Sequence, residues 1–164
     1  MNRLSDRDIV EILHSYNIKI NGIYQKDKLN KLLEGFTIIN LQSSVDGRGT
    51  HWVCIFHSKE CDLWYDSYGF LAPEAIEDKI KKSYYYNKRD IQNINSSSCG
   101  YFCIAFIKYL YFKKNKLEAF DKFISLFSGN TKQNERYYMI YCIIHSFFLR
   151  LLQENNIFSN IIYD

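Results

Sequence analysis

The run Cys99 to Phe112, CGYFCIAFIKYLYF, places the tightest constraint on what this chain can fold into. It is dense in aromatic and aliphatic side chains on every helical face, so it reads as a buried helix that needs other layers of structure around it. The polar cluster Ser96-Ser97-Ser98 stands just ahead of it. Two segments upstream have the strand pattern that could form such a layer. WVCIFH (52–57) and CDLWYDSY (61–68) are separated by the short Ser58-Lys59-Glu60 turn and read as a hairpin. Phe36 to Leu41, apolar and β-branched, predicts another strand, and Tyr84 to Asn93 a further one.

The remaining segments predict helices. Ser5 precedes an acidic first turn and an apolar stripe of Ile9, Ile12 and Leu13, the signature of a capped helix start. Residues 24–34, with Leu29, Leu32 and Leu33, predict a short helix or turn. Pro73 suits the first helical position of a segment running to about Lys82 with Ile76 and Ile80 on one face. Leu117 to Phe127 and Thr131 to Leu152 complete the list. The order of one helix, several antiparallel strands, then helices predicts an α+β fold in a single domain covering 1–164. At 47% hydrophobic, 17% aromatic and 24% charged, the chain is not intrinsically disordered. Its excess of Ile, Asn, Lys and Tyr reads as an AT-rich coding genome.

Charge and cysteine usage narrow the partners. A net charge of +3 is too mild to mark a nucleic-acid binder without clustering. Five cysteines, at 54, 61, 99, 103 and 142, form neither CxxC pairs nor zinc spacing, so no metal site is expected. The start MNRLSDRDIV has no apolar signal region, and the odd cysteine count points to reduced thiols and a protein that is not secreted. The most apolar stretch, Tyr137 to Leu149, is 13 residues and includes His145 and Ser146. A membrane span needs about 20 residues, so this stretch predicts a core helix and no membrane association.

Four residues could carry chemistry together. Cys99 opens the predicted buried helix, where free amides and the positive dipole end favour a thiolate, and Gly100 beside it lets a substrate come close to the backbone. Taken alone, a free cysteine is more often a small buried hydrophobe. His51 ends a Gly-containing loop at the mouth of a strand, and Asp66 lies near the end of the next strand. If His57 pairs with Cys61, His51 falls opposite Ser67 and Asp66 points to the other face; if Phe56 pairs with Cys61, Asp66 lies opposite His51. A carboxylate beside an imidazole holds its tautomer and raises its basicity, as a general base requires. Gln92, seven residues before Cys99, can donate a side-chain hydrogen bond to an oxyanion. Cys54, Cys103 and Cys142 read as core, His14, His57 and His145 as solvated or satisfied polar groups, and Ser83 to Tyr86 as an aromatic strand or an exposed surface.

THWVCIF, WYDSYG and IQNINSSSCGYFC, in that order, resemble the adenain-like cysteine proteases, which share a fold with the ubiquitin-like-protein proteases. The likeness is to the forms encoded by adenoviruses, virophages, large DNA viruses and Maverick/Polinton transposons, and covers roughly residues 5–112. It implies a papain-like fold in circularly permuted order, with an antiparallel sheet against helices and the nucleophile at a helix N-terminus. By the same resemblance Cys99 is the nucleophile, His51 the general base and Asp66 its orienting carboxylate. Gln92 is then an oxyanion donor beside the Cys99 backbone amide. Trp52 walls a narrow channel for small substrate residues, which implies glycine near the cut.

The implied substrates are viral or transposon capsid and core precursors, cleaved during particle maturation in the host cytoplasm or nucleus and in the virion. No cofactor is required by the chemistry. Relatives use DNA, and two basic clusters here are candidates for it: Lys79, Lys81, Lys82, Lys88 and Arg89, and Lys108, Lys113, Lys114 and Lys116. Relatives can also carry a disulfide-linked activating peptide, but residues 67–98 contain no cysteine to hold one. The rival readings are a protease of ubiquitin-like modifiers and, from another class, an inactive capsid-associated or DNA-binding module.

Overall fold

The structure is a computed structural model that describes residues 3–45, 51–81 and 83–136. Helix α1 (Asp6–Ser15) begins at a capping box. The Ser5 side chain accepts from the Asp8 amide at 3.2 Å, and the Asp8 carboxylate accepts from the Ser5 amide at 2.8 Å. Two otherwise unpaired donors are satisfied reciprocally, which fixes where the helix starts. Its buried residues, Ile9 and Leu13, are one helical turn apart.

Five strands follow: β1 (Gly22–Gln25), β2 (Gly35–Asn40), β3 (Trp52–His57), β4 (Asp62–Tyr65) and β5 (Tyr85–Tyr86). They lie in chain order in one sheet. The two central pairings, β2 with β3 and β3 with β4, are antiparallel, whereas β1 with β2 and β4 with β5 are parallel. The sheet is therefore mixed, which corrects the expected antiparallel sheet. The expected helix or turn at 24–34 is corrected at its start, where Tyr24 and Gln25 belong to β1. The expected strand at 84–93 contracts to two residues, and the helix expected after Pro73 to α2 (Glu74–Glu77).

The hairpin register differs from both alternatives read in the sequence. His57 pairs with Asp62 and Cys54 with Tyr65, so the same register continued sets His51 opposite Tyr68 and Val53 opposite Asp66. His51 and Asp66 then become diagonal neighbours on one side of the hairpin.

Alternation along the strands splits the core in two. Trp52, Cys54, Phe56, Leu63 and Tyr65 face helices α1, α3 (Cys99–Tyr111) and α4 (Lys116–Ser125). Val53, Ile55 and Trp64 face Leu29, Ala72, Ile76 and Ile80 on the other side. Helix α3 is buried along nearly its whole length, as its composition demanded, with Phe106 stacked on Tyr65 at 4.7 Å between ring centroids. Helix α4 is capped by Asn115, whose side chain accepts from the Glu118 amide at 3.1 Å. At its other end Arg89 donates to the carbonyls of Ile124 and Phe127 at 2.6 and 2.7 Å, placing a cation where the helix dipole is negative. Residues 131–136 are helical. The apolar stretch from Tyr137, with Cys142 and His145, lies outside the described residues.

Candidate functional site

The site lies where the ends of β3 and β4 meet the start of α3. The His51 carbonyl accepts from the Leu41 amide at 2.9 Å, one step beyond the last β2–β3 pair, so its backbone is held as part of the ladder. Asp66 follows β4 directly and is fully buried. Asn87 pins it: its side-chain oxygen accepts from the Asp66 amide at 3.1 Å and its amide donates to the Asp66 carbonyl. Asn87 thus continues the β4–β5 pairing with a side chain where the short strand β5 has ended.

The turn after Asp66 depends on Gly69, whose amide donates to the Asp66 carbonyl at 2.8 Å and whose φ is +75°. A Cβ at Gly69 would lie 2.5 Å from the Arg89 carbonyl carbon, so the turn has both a conformational and a steric need for glycine.

Within this frame His51 Nε2 lies 2.7 Å from Asp66 Oδ1. The other ring nitrogen, Nδ1, is buried and has no hydrogen-bond partner among the described residues. Cys99 is the first residue of α3 and is 2% exposed. Its sulfur accepts from the Trp52 amide at 3.4 Å. Burial pushes the Cys99 thiol up, but the neighbouring His51 and the amides of Trp52 and Gly100 outweigh it and bring it below the usual thiol value. Burial likewise opposes the charged imidazole, yet the bond to Asp66 and the neighbouring Cys99 raise His51 to about 9. Each group stabilises the charged form of the other, and Asp66 contributes most to holding the charge on His51. Cys54 and Cys103 are fully buried with no such partners, and burial pushes their thiols well above the ordinary range.

The other sequence-derived residues converge here too. Gln92 is 1% exposed, with its side-chain oxygen accepting from Ser67 Oγ at 2.7 Å. Its amide nitrogen lies 3.0 Å from both the Ser96 carbonyl and Ser96 Oγ and 3.2 Å from the Tyr68 hydroxyl. The donor the sequence assigned to an oxyanion is therefore held in this resting arrangement by the turn that leads into Cys99. Trp52 is buried, with its indole N–H donating to the Leu4 carbonyl at 3.2 Å. Gly100 is buried as well, and an added Cβ would meet Trp52, Leu4 and Ile9 at 3.2–3.4 Å. Its lack of a side chain serves the packing of α1 and Trp52 onto α3.

Sequence reasoning missed Asn87 and Tyr68. Tyr68 stacks on the His51 ring with centroids 4.5 Å apart. A second imidazole–carboxylate pair also went unseen: His57 Nδ1 lies 2.6 Å from Asp62 Oδ1, at the far end of the same hairpin. The only signal for it was the position of the two residues on either side of the Ser58-Lys59-Glu60 turn.

Among the described residues, no group of three or more His, Cys, Asp or Glu side chains could hold a metal ion. No described helix is long and apolar enough to cross a membrane. Several of the basic side chains considered for DNA have local partners. Lys79 bonds the Ala75 carbonyl, Lys81 the Lys59 carbonyl and Lys116 those of Tyr111 and Lys113, while Lys108 lies 3.8 Å over the Tyr16 ring. Lys82 lies outside the described residues. Neither protein-family profiles nor curated proteins give a match to this chain.

Proposed function

We propose that this chain is a cysteine endopeptidase in which Cys99 attacks, His51 moves the proton and Asp66 holds His51. One observation carries the reading: the His51 imidazole is held through Nε2 by a buried carboxylate, its other nitrogen is buried without a partner among the described residues, and the Cys99 thiol at the start of α3 lies close enough for the two groups to shift each other's titration. That arrangement favours a thiolate–imidazolium pair, the reactive form of such a nucleophile.

The thiolate adds to the scissile carbonyl, and the resulting oxyanion takes hydrogen bonds from the Cys99 backbone amide and from Gln92 once its amide turns from Ser96. His51 then gives its proton to the leaving amine as the C–N bond breaks, leaving a thioester on Cys99. His51 next takes a proton from water, the hydroxide adds to the thioester, and the C–S bond breaks to release the carboxylate product and regenerate the pair.

The chain order His51, Asp66, Gln92, Cys99, with the last opening α3, supports a papain-like fold in permuted order and the likeness to adenain-like proteases. On that likeness the substrates are capsid or core precursors of a virus or transposon, cut at Gly-containing sites in infected cells and particles. Iodoacetamide labelling of the five thiols and cleavage of proteins encoded in the same genome test the reading. Cys99 labels fastest near neutral pH, and Cys99→Ala loses cleavage while keeping its fold. Equal labelling of all thiols overturns it, and turnover of modifier conjugates in place of Gly-containing peptides moves the enzyme to the modifier proteases.

A further inference from the structure

Ser67 stands between the two arms of the site. It follows Asp66 directly and is 1% exposed. Its carbonyl accepts from the amides of Ile91 and Gln92 at 2.8 and 2.9 Å, and its hydroxyl donates at 2.7 Å to Gln92 Oε1. Both the backbone and the side chain of Gln92 are thus attached to the residue next to Asp66.

These bonds settle which way the Gln92 amide faces. The Ser96 carbonyl, 3.0 Å from the amide nitrogen, can only accept, so an NH2 group must point at it. The oxygen is then at the other end, and the Ser67 hydroxyl must donate to it. At the nitrogen, two protons serve three acceptors: the Ser96 carbonyl and Ser96 Oγ at 3.0 Å and the Tyr68 hydroxyl at 3.2 Å. The Ser96 carbonyl also accepts from the Tyr68 hydroxyl at 3.2 Å, so it keeps a donor when the nitrogen leaves. The nitrogen end is releasable, whereas the oxygen end is held by one short bond.

We infer that Ser67 is a positioning residue for the oxyanion step, anchoring Gln92 Oε1 so that Nε2 swings about a fixed oxygen from Ser96 to the charge forming beside Cys99. The inference rests on the reading of Cys99 as the nucleophile and Gln92 as its oxyanion donor. A donor stabilises developing charge in proportion to how well it is aimed beforehand. Without the Ser67 hydroxyl, the amide gains orientations that turn its oxygen toward the oxyanion, where it repels.

The test is a double-mutant cycle in the full chain, with a fluorogenic peptide carrying a central Gly-Gly pair as substrate. Ser67→Ala lowers kcat about tenfold with KM little changed, and Gln92→Ala lowers it about a hundredfold. The Ser67→Ala loss disappears in the Gln92→Ala background, and iodoacetamide labelling of Cys99, which forms no oxyanion, keeps its wild-type rate. Losses that simply add, or an equal slowing of labelling, overturn the inference and leave Ser67 a packing residue. Should Ser67→Ala fail to fold, Ser67→Cys, a weaker donor of similar size, takes its place in the cycle: a smaller loss that again vanishes with Gln92→Ala supports the inference, and an additive one overturns it. A wild type that neither cleaves the peptide nor labels fastest at Cys99 overturns the endopeptidase reading and this inference with it.

Discussion

Asn134 donates its side-chain amide to the Ile91 carbonyl at 3.1 Å, and the neighbouring Glu135 accepts from the Asn93 amide at 3.0 Å. The two bonds bracket Gln92, so the segment that follows α4 fixes the backbone of the proposed oxyanion donor. Asn134 is buried and also donates to the Ser128 carbonyl at 2.9 Å. Asn134→Ala leaves buried acceptors unpaired and costs about 1–3 kcal/mol in thermal or denaturant unfolding. Peptide cleavage then slows mainly through kcat, whereas the alkylation rate of Cys99 stays near wild type, because alkylation forms no oxyanion. An equal loss in both assays would tie the segment to the thiol and not to Gln92.

On the proposed mechanism, peptide cleavage is expected to follow a bell in pH, with both limbs belonging to the coupled pair. On the acid side the rate falls as the thiolate is protonated, and because Cys99 sits below the usual thiol value that limb lies lower than for a free cysteine. On the alkaline side the rate falls near pH 9, where His51 loses its proton and the leaving amine loses its acid. Measuring kcat/KM from pH 5 to 10.5 checks both limbs. A single limb at the position of an ordinary thiol would show that the pair does not form.

Gly69→Ala is expected to cost at least about 2 kcal/mol, read from the denaturant midpoint. The φ of +75° disfavours any Cβ, and the Arg89 backbone occupies the space that Cβ would take. Because Gly69 closes the turn beneath Asp66 and Tyr68, the surviving folded fraction also alkylates more slowly at Cys99. A neutral substitution would mean that the turn relaxes freely.

The two imidazole–carboxylate pairs separate chemistry from architecture. Asp62 is fully buried and accepts at 2.6 Å from His57 and at 2.7 Å from the Lys81 amide, binding the hairpin turn to the chain entering β5. Asp62→Ala lowers stability by about 1–3 kcal/mol through the orphaned Lys81 amide and leaves Cys99 reactivity unchanged. Asp66→Asn does the reverse, cutting Cys99 alkylation at pH 7 by at least about tenfold as the imidazole loses its anionic partner. Thermal unfolding and alkylation kinetics on the two variants distinguish the pairs, and matching phenotypes would remove the distinction.

The strongest local signals survived folding. Ser5 and Asp8 cap α1, WVCIFH forms β3, and the apolar run from Cys99 forms α3, because caps, strand alternation and an all-round apolar helix are properties of neighbouring residues. Strand β1 carried no such signal. Gly22–Gln25 is half-buried along its length and takes its extended form from parallel pairing with Thr37–Asn40 in β2. Strand β5 shrank because the chain beyond Tyr86 spends its polar groups elsewhere: Asn87 on Asp66 and Arg89 on the end of α4.

By itself the sequence determined which residues carry the candidate chemistry, since a thiol, an imidazole, a carboxylate and an amide in these settings are chemical facts of the chain. Tertiary structure decided how they meet. The hairpin register, set by burying alternate side chains on two cores at once, made His51 and Asp66 diagonal neighbours and brought Tyr68 against the imidazole. Tertiary packing also placed Asn87 on the Asp66 backbone and Asn134 on the Ile91 carbonyl, contacts between residues 21 and 43 positions apart. Long-range pairings of this kind depend on the packing of the whole domain, and no local pattern of residues encodes them.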